Sequence, residues 1–187
     1  MTELKIVEII NHFGRGTIVD SLSAIIGNIT IIFLVWIIAA AIILVVDKKN
    51  GKWIVLALFA VTIINFLITE GLFKHLFLEF IPFRLRPYLA YPNLIIPIGY
   101  HSIDTSFPSG HTTIMAALVS VIIYYHKRFW PYGTILVILM MLSRIHNGMH
   151  WSTDVLGGLV LGIGYAYLAI MLIRLIKSKI SGKINLS

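Results

Sequence analysis

Long apolar runs separated by short clusters of charge dominate this chain. The clearest run, residues 29–46, holds no charged side chain and ends at Asp47-Lys48-Lys49-Asn50-Gly51-Lys52. Further runs cover 53–73, 111–125, 131–145 and 155–176, the last followed by Lys177, Lys179 and Lys183. Each approaches the roughly 20 residues a helix needs to cross hydrocarbon, the third being short for it. All five are expected to be helices, because an open strand would leave backbone groups unpaired in lipid. Pro131 suits a first helical turn. Between Leu4 and Phe13 the apolar spacing is roughly helical but interrupted by Lys5, Glu8 and His12. That stretch is too short and too charged for an independent span, so an interfacial helix is expected there. A second short helix over 18–26 would follow, and the two together would make a broken sixth span.

Composition narrows this to one architecture. Of 187 residues, 58% are hydrophobic and 12% charged, about half the usual charged share of a soluble domain. The mean hydropathy is +0.92. Disordered, collagenous and disulfide-scaffold classes are excluded, and the absence of Cys removes thiol catalysis and cysteine metal sites. The expected fold is all-α: a multi-pass transmembrane helix bundle, with five spans plus a short N-terminal interfacial helix or broken sixth span. It forms one domain over 1–187, with an N-terminal interfacial or broken helix at 1–28, the catalytic bundle at 29–176 and a basic cytoplasmic tail at 177–187. A net charge of +7 then reads as basic loops rather than a nucleic-acid surface. Alternation through five spans puts Lys48, Lys49 and Lys52, the Lys127-Arg128 pair, and Arg174 to Lys183 on one face. By the positive-inside rule that face is cytoplasmic.

The opposite face collects the candidate chemistry. Arg84, Arg86 and Pro87 lie in a long loop that closes on Pro108-Ser109-Gly110-His111 at the start of the third span. Ser143-Arg144 ends the fourth span, and His150 and Asp154 flank the start of the fifth. Arginines bind phosphate oxygens bidentately and stay charged, and Ser109-Gly110 leads into a helix whose free amides favour an anion. Two histidines meet the needs of covalent phosphoryl transfer, one as nucleophile and one as acid. Asp154, four residues beyond His150, can accept its ring N–H.

Pro108-Ser109-Gly110-His111 and Ser143-Arg144-(five residues)-His150-(three residues)-Asp154 resemble the second and third signature motifs of the type 2 phosphatidic-acid phosphatase superfamily, which includes vanadium haloperoxidases. The resemblance runs from about residue 17 to 176. It looks closest to small bacterial undecaprenyl-diphosphate phosphatases of the bacitracin-resistance type. It implies an integral-membrane lipid phosphatase of the cell membrane that acts on a lipid phosphate from the extracytoplasmic face, without metal or other cofactor. It also implies that His150, oriented by Asp154, forms a phosphohistidine and that His111 protonates the leaving oxygen. Arg86, Arg144, Ser109 and Gly110 would hold the phosphate.

The family's first motif places a lysine seven positions before its Arg-Pro pair; here that position is Glu79. Either Lys74 reaches the phosphate across an insertion such as 78–83, or Arg84 substitutes. Undecaprenyl or another polyprenyl diphosphate is the expected substrate. Phosphatidate or phosphatidylglycerol phosphate hydrolysis and lipid phosphotransfer are alternatives within the class, and a catalytically silent lipid-binding protein is the alternative outside it. His75, His101, His126 and His146 match no motif and are expected to pack or be solvated. Gly158 and Gly162 suit helix–helix contact, and Trp53, Trp130 and Trp151 suit interface anchoring.

Overall fold

The computed structural model describes residues 2–76 and 83–184. Its described elements are all helical. Helices α1 (Glu3–His12) and α2 (Ile18–Ile26) lead into α3 (Ile29–Val46). Asn28 sets the start of α3, its side chain accepting from the amides of Thr30 and Ile31 at 2.9 and 3.2 Å. Asp47 then turns the chain, its Oδ1 accepting from the amides of Lys49 and Asn50. Helix α4 (Gly51–Ile64) continues as a π-helical stretch, Asn65–Leu76. A short α5 (Pro87–Ala90) interrupts the long loop, and α6 (Gly110–Tyr125), α7 (Trp130–His146) and α8 (Ser152–Ile184) complete the chain.

Among the described residues, four stretches are long and apolar enough to span a membrane: Ile29–Val46, Gly51–Lys74, Lys127–His146 and Ser152–Ile180. Helix α6, the run expected to be short, has 16 residues, of which ten are buried. It is the axis of the bundle. Ile114, Ala117, Leu118 and Val121 of α6 pack between Trp53, Ile54, Ala57 and Val61 of α4 and Tyr165, Ala166 and Ala169 of α8. Surrounded by longer helices, α6 does not have to match the bilayer thickness itself. Helix α3 is the reverse: only 6% of it is buried, and Leu34, Val35, Ile37 and Ile38 point outward. Such an apolar exterior suits hydrocarbon, not water.

Small residues bring α8 against α6. A methyl group at Gly162 would lie 2.8 Å from the Ala116 Cβ, and one at Gly158 would lie 2.7 Å from the Ser109 carbonyl oxygen. These two glycines form the small-residue face read from their spacing.

Helices α1 and α2 lie at the end of the bundle where α6 and α8 begin. Glu3 accepts from the Thr153 amide at 2.8 Å, and Asn11, at the other end of α1, donates to the His146 carbonyl at 2.7 Å. With both of its ends tied to the α7–α8 link, α1 runs across the bundle end instead of through it. Ser23 of α2 bonds Asn147 at 2.7 Å. At the opposite end, His126 pairs with Asp47 at 3.1 Å and Lys177 lies over the Trp53 ring. The basic clusters of the first, third and last loops therefore share that end. Two of the three tryptophans expected at the interface are not anchors there. Trp53 and Trp151 are each 8% exposed, Trp151 donating to the Leu85 carbonyl at 2.8 Å; only Trp130 points outward.

Candidate active site

The widened turn of the π-helical stretch, the loop before α6 and the two ends of the α7–α8 link converge on a cavity of about 550 Å³. Lys74, Arg86, Gly110, His111, Arg144 and His150 line it. So do Ile29, Phe33, Ile63, Phe66 and Leu67. Phe33, Phe66 and Leu67 also belong to the exposed apolar exterior. The cavity thus joins charged groups to apolar residues of the lateral face of the bundle.

His150 is fixed through a backbone acceptor. Its Nδ1 lies 2.8 Å from the Ser106 carbonyl oxygen, which can only accept, so Nδ1 carries the proton. Nε2 is then the unprotonated nitrogen, and it accepts from Arg86 Nη1 at 3.2 Å. Burial first, then Arg86, Arg144 and Lys74, push the imidazole well below its usual pKa, which keeps that lone pair free.

Asp154 does not accept the His150 ring N–H, as its spacing suggested. Its Oδ2 is 3.7 Å from Nδ1 and instead accepts from the Ser106 hydroxyl and, at 2.8 Å, from the Trp151 amide. The carboxylate thus holds Ser106, and Ser106 holds the histidine. Ser109 also differs from expectation. Its amide donates to the Asp154 carbonyl at 3.2 Å and its hydroxyl meets Thr112, so it faces α8 instead of the cavity. The amides of Gly110 and His111 have no hydrogen-bond acceptor among the described residues, which leaves the α6 N-terminus open to an anion.

The cations divide clearly. Arg86 is 2% exposed, its Nε and Nη2 held by the Asp104 carbonyl and by Asp104 Oδ1, the latter at 2.6 Å. Lys74 Nζ lies 3.1 Å from Asp104 Oδ2 and 2.9 Å from Glu70 Oε2. Burial alone would raise the Asp104 carboxyl, but Lys74, the Ser102 hydroxyl and Arg86 outweigh it and hold the group well below the usual carboxylate range. Arg144 donates to the Gly27 carbonyl at 3.2 Å, while its Nε is buried without a partner. A buried guanidinium N–H with no protein partner, on a residue lining the cavity, can donate to an anion.

Arg84 is turned away from that cavity. It spans Asp154 Oδ1 at 2.6 Å, Thr153 Oγ1 at 2.7 Å and Glu3 Oε2 at 2.7 Å, tying α1 to α8. Of the two candidates for a third cation, the structure brings Lys74 to the site and not Arg84. Glu79 and most of 78–83 lie outside the described residues, as does the side chain of His75. Of the other histidines, buried His146 contacts the Phe13 carbonyl at 2.9 Å and His101 packs edge-on to Tyr88.

Sequence reasoning assigned no role to Ser106, Glu70 or Asp104. A backbone acceptor such as the Ser106 carbonyl leaves no residue-type signal. Glu70 did leave one: an acidic residue four before Lys74, inside an otherwise apolar run.

The profile of the PAP2 superfamily matches residues 52–177. The undecaprenyl-diphosphatase BcrC of Bacillus subtilis (strain 168) is 35% identical over 100 residues, 52% of this chain and 50% of the relative. Phosphatidylglycerophosphatase B of the same strain is 32% identical over 106 residues, 51% of this chain and 48% of its own. The alignments with curated relatives span between about a third and three fifths of those proteins' lengths. Among solved structures, the transmembrane PAP2-type phosphatidylglycerolphosphate phosphatase from Bacillus subtilis is similar at a TM-score of 0.59 and 21% identity, covering 94% of this chain and 86% of that one. The chain belongs to the PAP2 superfamily, as a membrane-embedded, multi-pass helical member.

Proposed function

We propose that this superfamily member is a metal-independent lipid phosphatase that works on the extracytoplasmic face of the cell membrane, with undecaprenyl or another polyprenyl diphosphate as substrate. One observation carries the reading. An unprotonated His150 Nε2, three cations and an open helix N-terminus line a cavity whose walls also include apolar residues of the outer surface, Phe33, Phe66 and Leu67. A phosphate on a hydrocarbon chain fits both kinds of lining.

In this mechanism Arg86 Nη1 passes from Nε2 to a phosphate oxygen as substrate enters, and Nε2 attacks phosphorus in line. The N–P bond forms as the P–O bond to the lipid-linked group breaks. His111 gives its proton to that departing oxygen, then takes one from the water that attacks the phosphohistidine and frees phosphate. Lys74, Arg144 and the Gly110 and His111 amides hold the equatorial oxygens, where positioning and charge stabilisation supply most of the rate. Asp154 acts at one remove, by fixing Ser106 behind the nucleophile.

The undecaprenyl reading leans on the similarity to the undecaprenyl-diphosphatase BcrC; similarity to phosphatidylglycerophosphatase B favours a glycerophospholipid substrate by the same kind of argument. Phosphate release from the purified protein across a panel of lipid mono- and diphosphates separates the two. Release should survive excess EDTA, be inhibited by vanadate, which mimics the five-coordinate transferring phosphoryl group, and fall by several orders of magnitude in His150→Ala. Loss in EDTA that a divalent ion restores, or full activity in His150→Ala, defeats this mechanism. No release from any lipid would favour the catalytically silent alternative.

A further inference from the structure

Glu70 has no role in the steps above, yet it lines the same cavity as the two histidines. Its Oε2 lies 2.9 Å from Lys74 Nζ. Its Oε1 lies against Gly110, in space that a methyl group on that residue would occupy, and Lys74 Nζ would be 3.7 Å from the same methyl. The carboxylate therefore sits between a lysine and the first residue of α6, the two groups that a phosphate oxygen would take as partners.

We propose that Glu70 occupies the position a phosphate oxygen would take, is displaced when a phosphate binds, and thereby weakens the hold of the site on the free phosphate product. This rests on the phosphatase reading of the site. Two anions cannot share that position, so every phosphate that enters must expel the carboxylate. A lipid phosphate recovers the cost by burying hydrocarbon against Phe33, Phe66 and Leu67; inorganic phosphate has no hydrocarbon to bury. The carboxylate is free to move. Its side chain is 38% exposed, and Lys74 stays paired with Asp104 at 3.1 Å when Glu70 leaves. Its return as phosphate departs would limit product inhibition.

Competitive inhibition constants for inorganic phosphate and orthovanadate, measured against lipid-phosphate hydrolysis, test this in Glu70→Gln and Glu70→Ala. Gln keeps the shape and removes the charge, and Ala cannot reach Gly110. Both constants should fall about tenfold or more in each variant, and KM for the lipid should fall with them, because every phosphate bears the same displacement cost. Inhibition constants unchanged or raised in both variants, with hydrolysis by the unaltered protein intact, overturn the role of Glu70 alone. If the unaltered protein neither hydrolyses lipid phosphates nor binds vanadate by calorimetry, the phosphatase reading falls and this inference with it.

Discussion

Replacing Gly158 with alanine should cost activity because it pushes apart the two helices that carry the proposed catalytic groups. The new methyl would lie 2.7 Å from the Ser109 carbonyl oxygen, 3.1 Å from Thr113 Oγ1 and 3.2 Å from the Thr112 Cβ. Ordinary contact begins near 3.4 Å, so α8 must move off α6 by about 0.7 Å. The atom it strikes cannot turn aside: the Ser109 carbonyl is held by the amide and the hydroxyl of Thr113, each at 2.9 Å. Ser109 is two residues before His111, and Gly158 is one turn beyond Asp154. The displacement therefore falls between the support of His111 and that of His150, and it strains the 3.2 Å bond from the Ser109 amide to the Asp154 carbonyl. Overpacking of this kind costs about 1–3 kcal/mol, and a misplacement near 1 Å costs up to about a hundredfold in rate. Phosphate release should fall roughly tenfold to a hundredfold, with the unfolding temperature in detergent several degrees lower. Gly164→Ala is the control on the same helix. A methyl there meets nothing within 4 Å, and removing a helical glycine should stabilise by about 0.5–1 kcal/mol with turnover unchanged. Unaltered turnover and melting in Gly158→Ala, or equal damage from both substitutions, would refute the idea that this contact aligns the site.

Lys74→Ala should lower phosphate release roughly tenfold to a hundredfold, about 1–3 kcal/mol of transition-state stabilisation, whereas Arg84→Ala should mainly lower the melting temperature by releasing α1. A neutral Lys74→Ala with a crippling Arg84→Ala would make Arg84 the third cation. Burial, then Arg86, Arg144 and Lys74, lower the His150 pKa, so Nε2 stays unprotonated well below pH 6.5. The acidic limb of kcat/KM, corrected for ionisation of the phosphate itself, should lie well below that value, and a limb at about 6.5 would contradict the assignment. Cysteines introduced at Asn50 and Lys183 should be protected from an impermeant thiol reagent in intact cells, and one at Asn93 should label. The chain has no native Cys to confuse the signal, and the inverse pattern would place the site on the cytoplasmic face.

The sequence alone determined what depends on neighbours along the chain. Uninterrupted apolar runs marked the spans, Asp47 marked the end of one and Pro131 the first turn of another. The basic clusters put one end of the bundle together, as Lys177 over Trp53 and His126 on Asp47 also do. Motif spacing was enough to gather Arg86, His111, Arg144, His150 and Asp154 at the other end. Tertiary structure decided how those groups connect. Four-residue spacing on one helix face suggested that Asp154 holds His150 directly, but His150 precedes α8, and the ring turns to the Ser106 carbonyl instead. Ser109 looked free for an anion until α8 offered its amide the Asp154 carbonyl. Lys74 and Arg84 carry the same charge at plausible positions; the path of the loop set one in the cavity and the other on Glu3. Hydropathy and helix capping arise from groups a few residues apart and are written in residue type. A backbone carbonyl has no residue type, and the direction in which a cation points is set by packing between elements far apart in the chain.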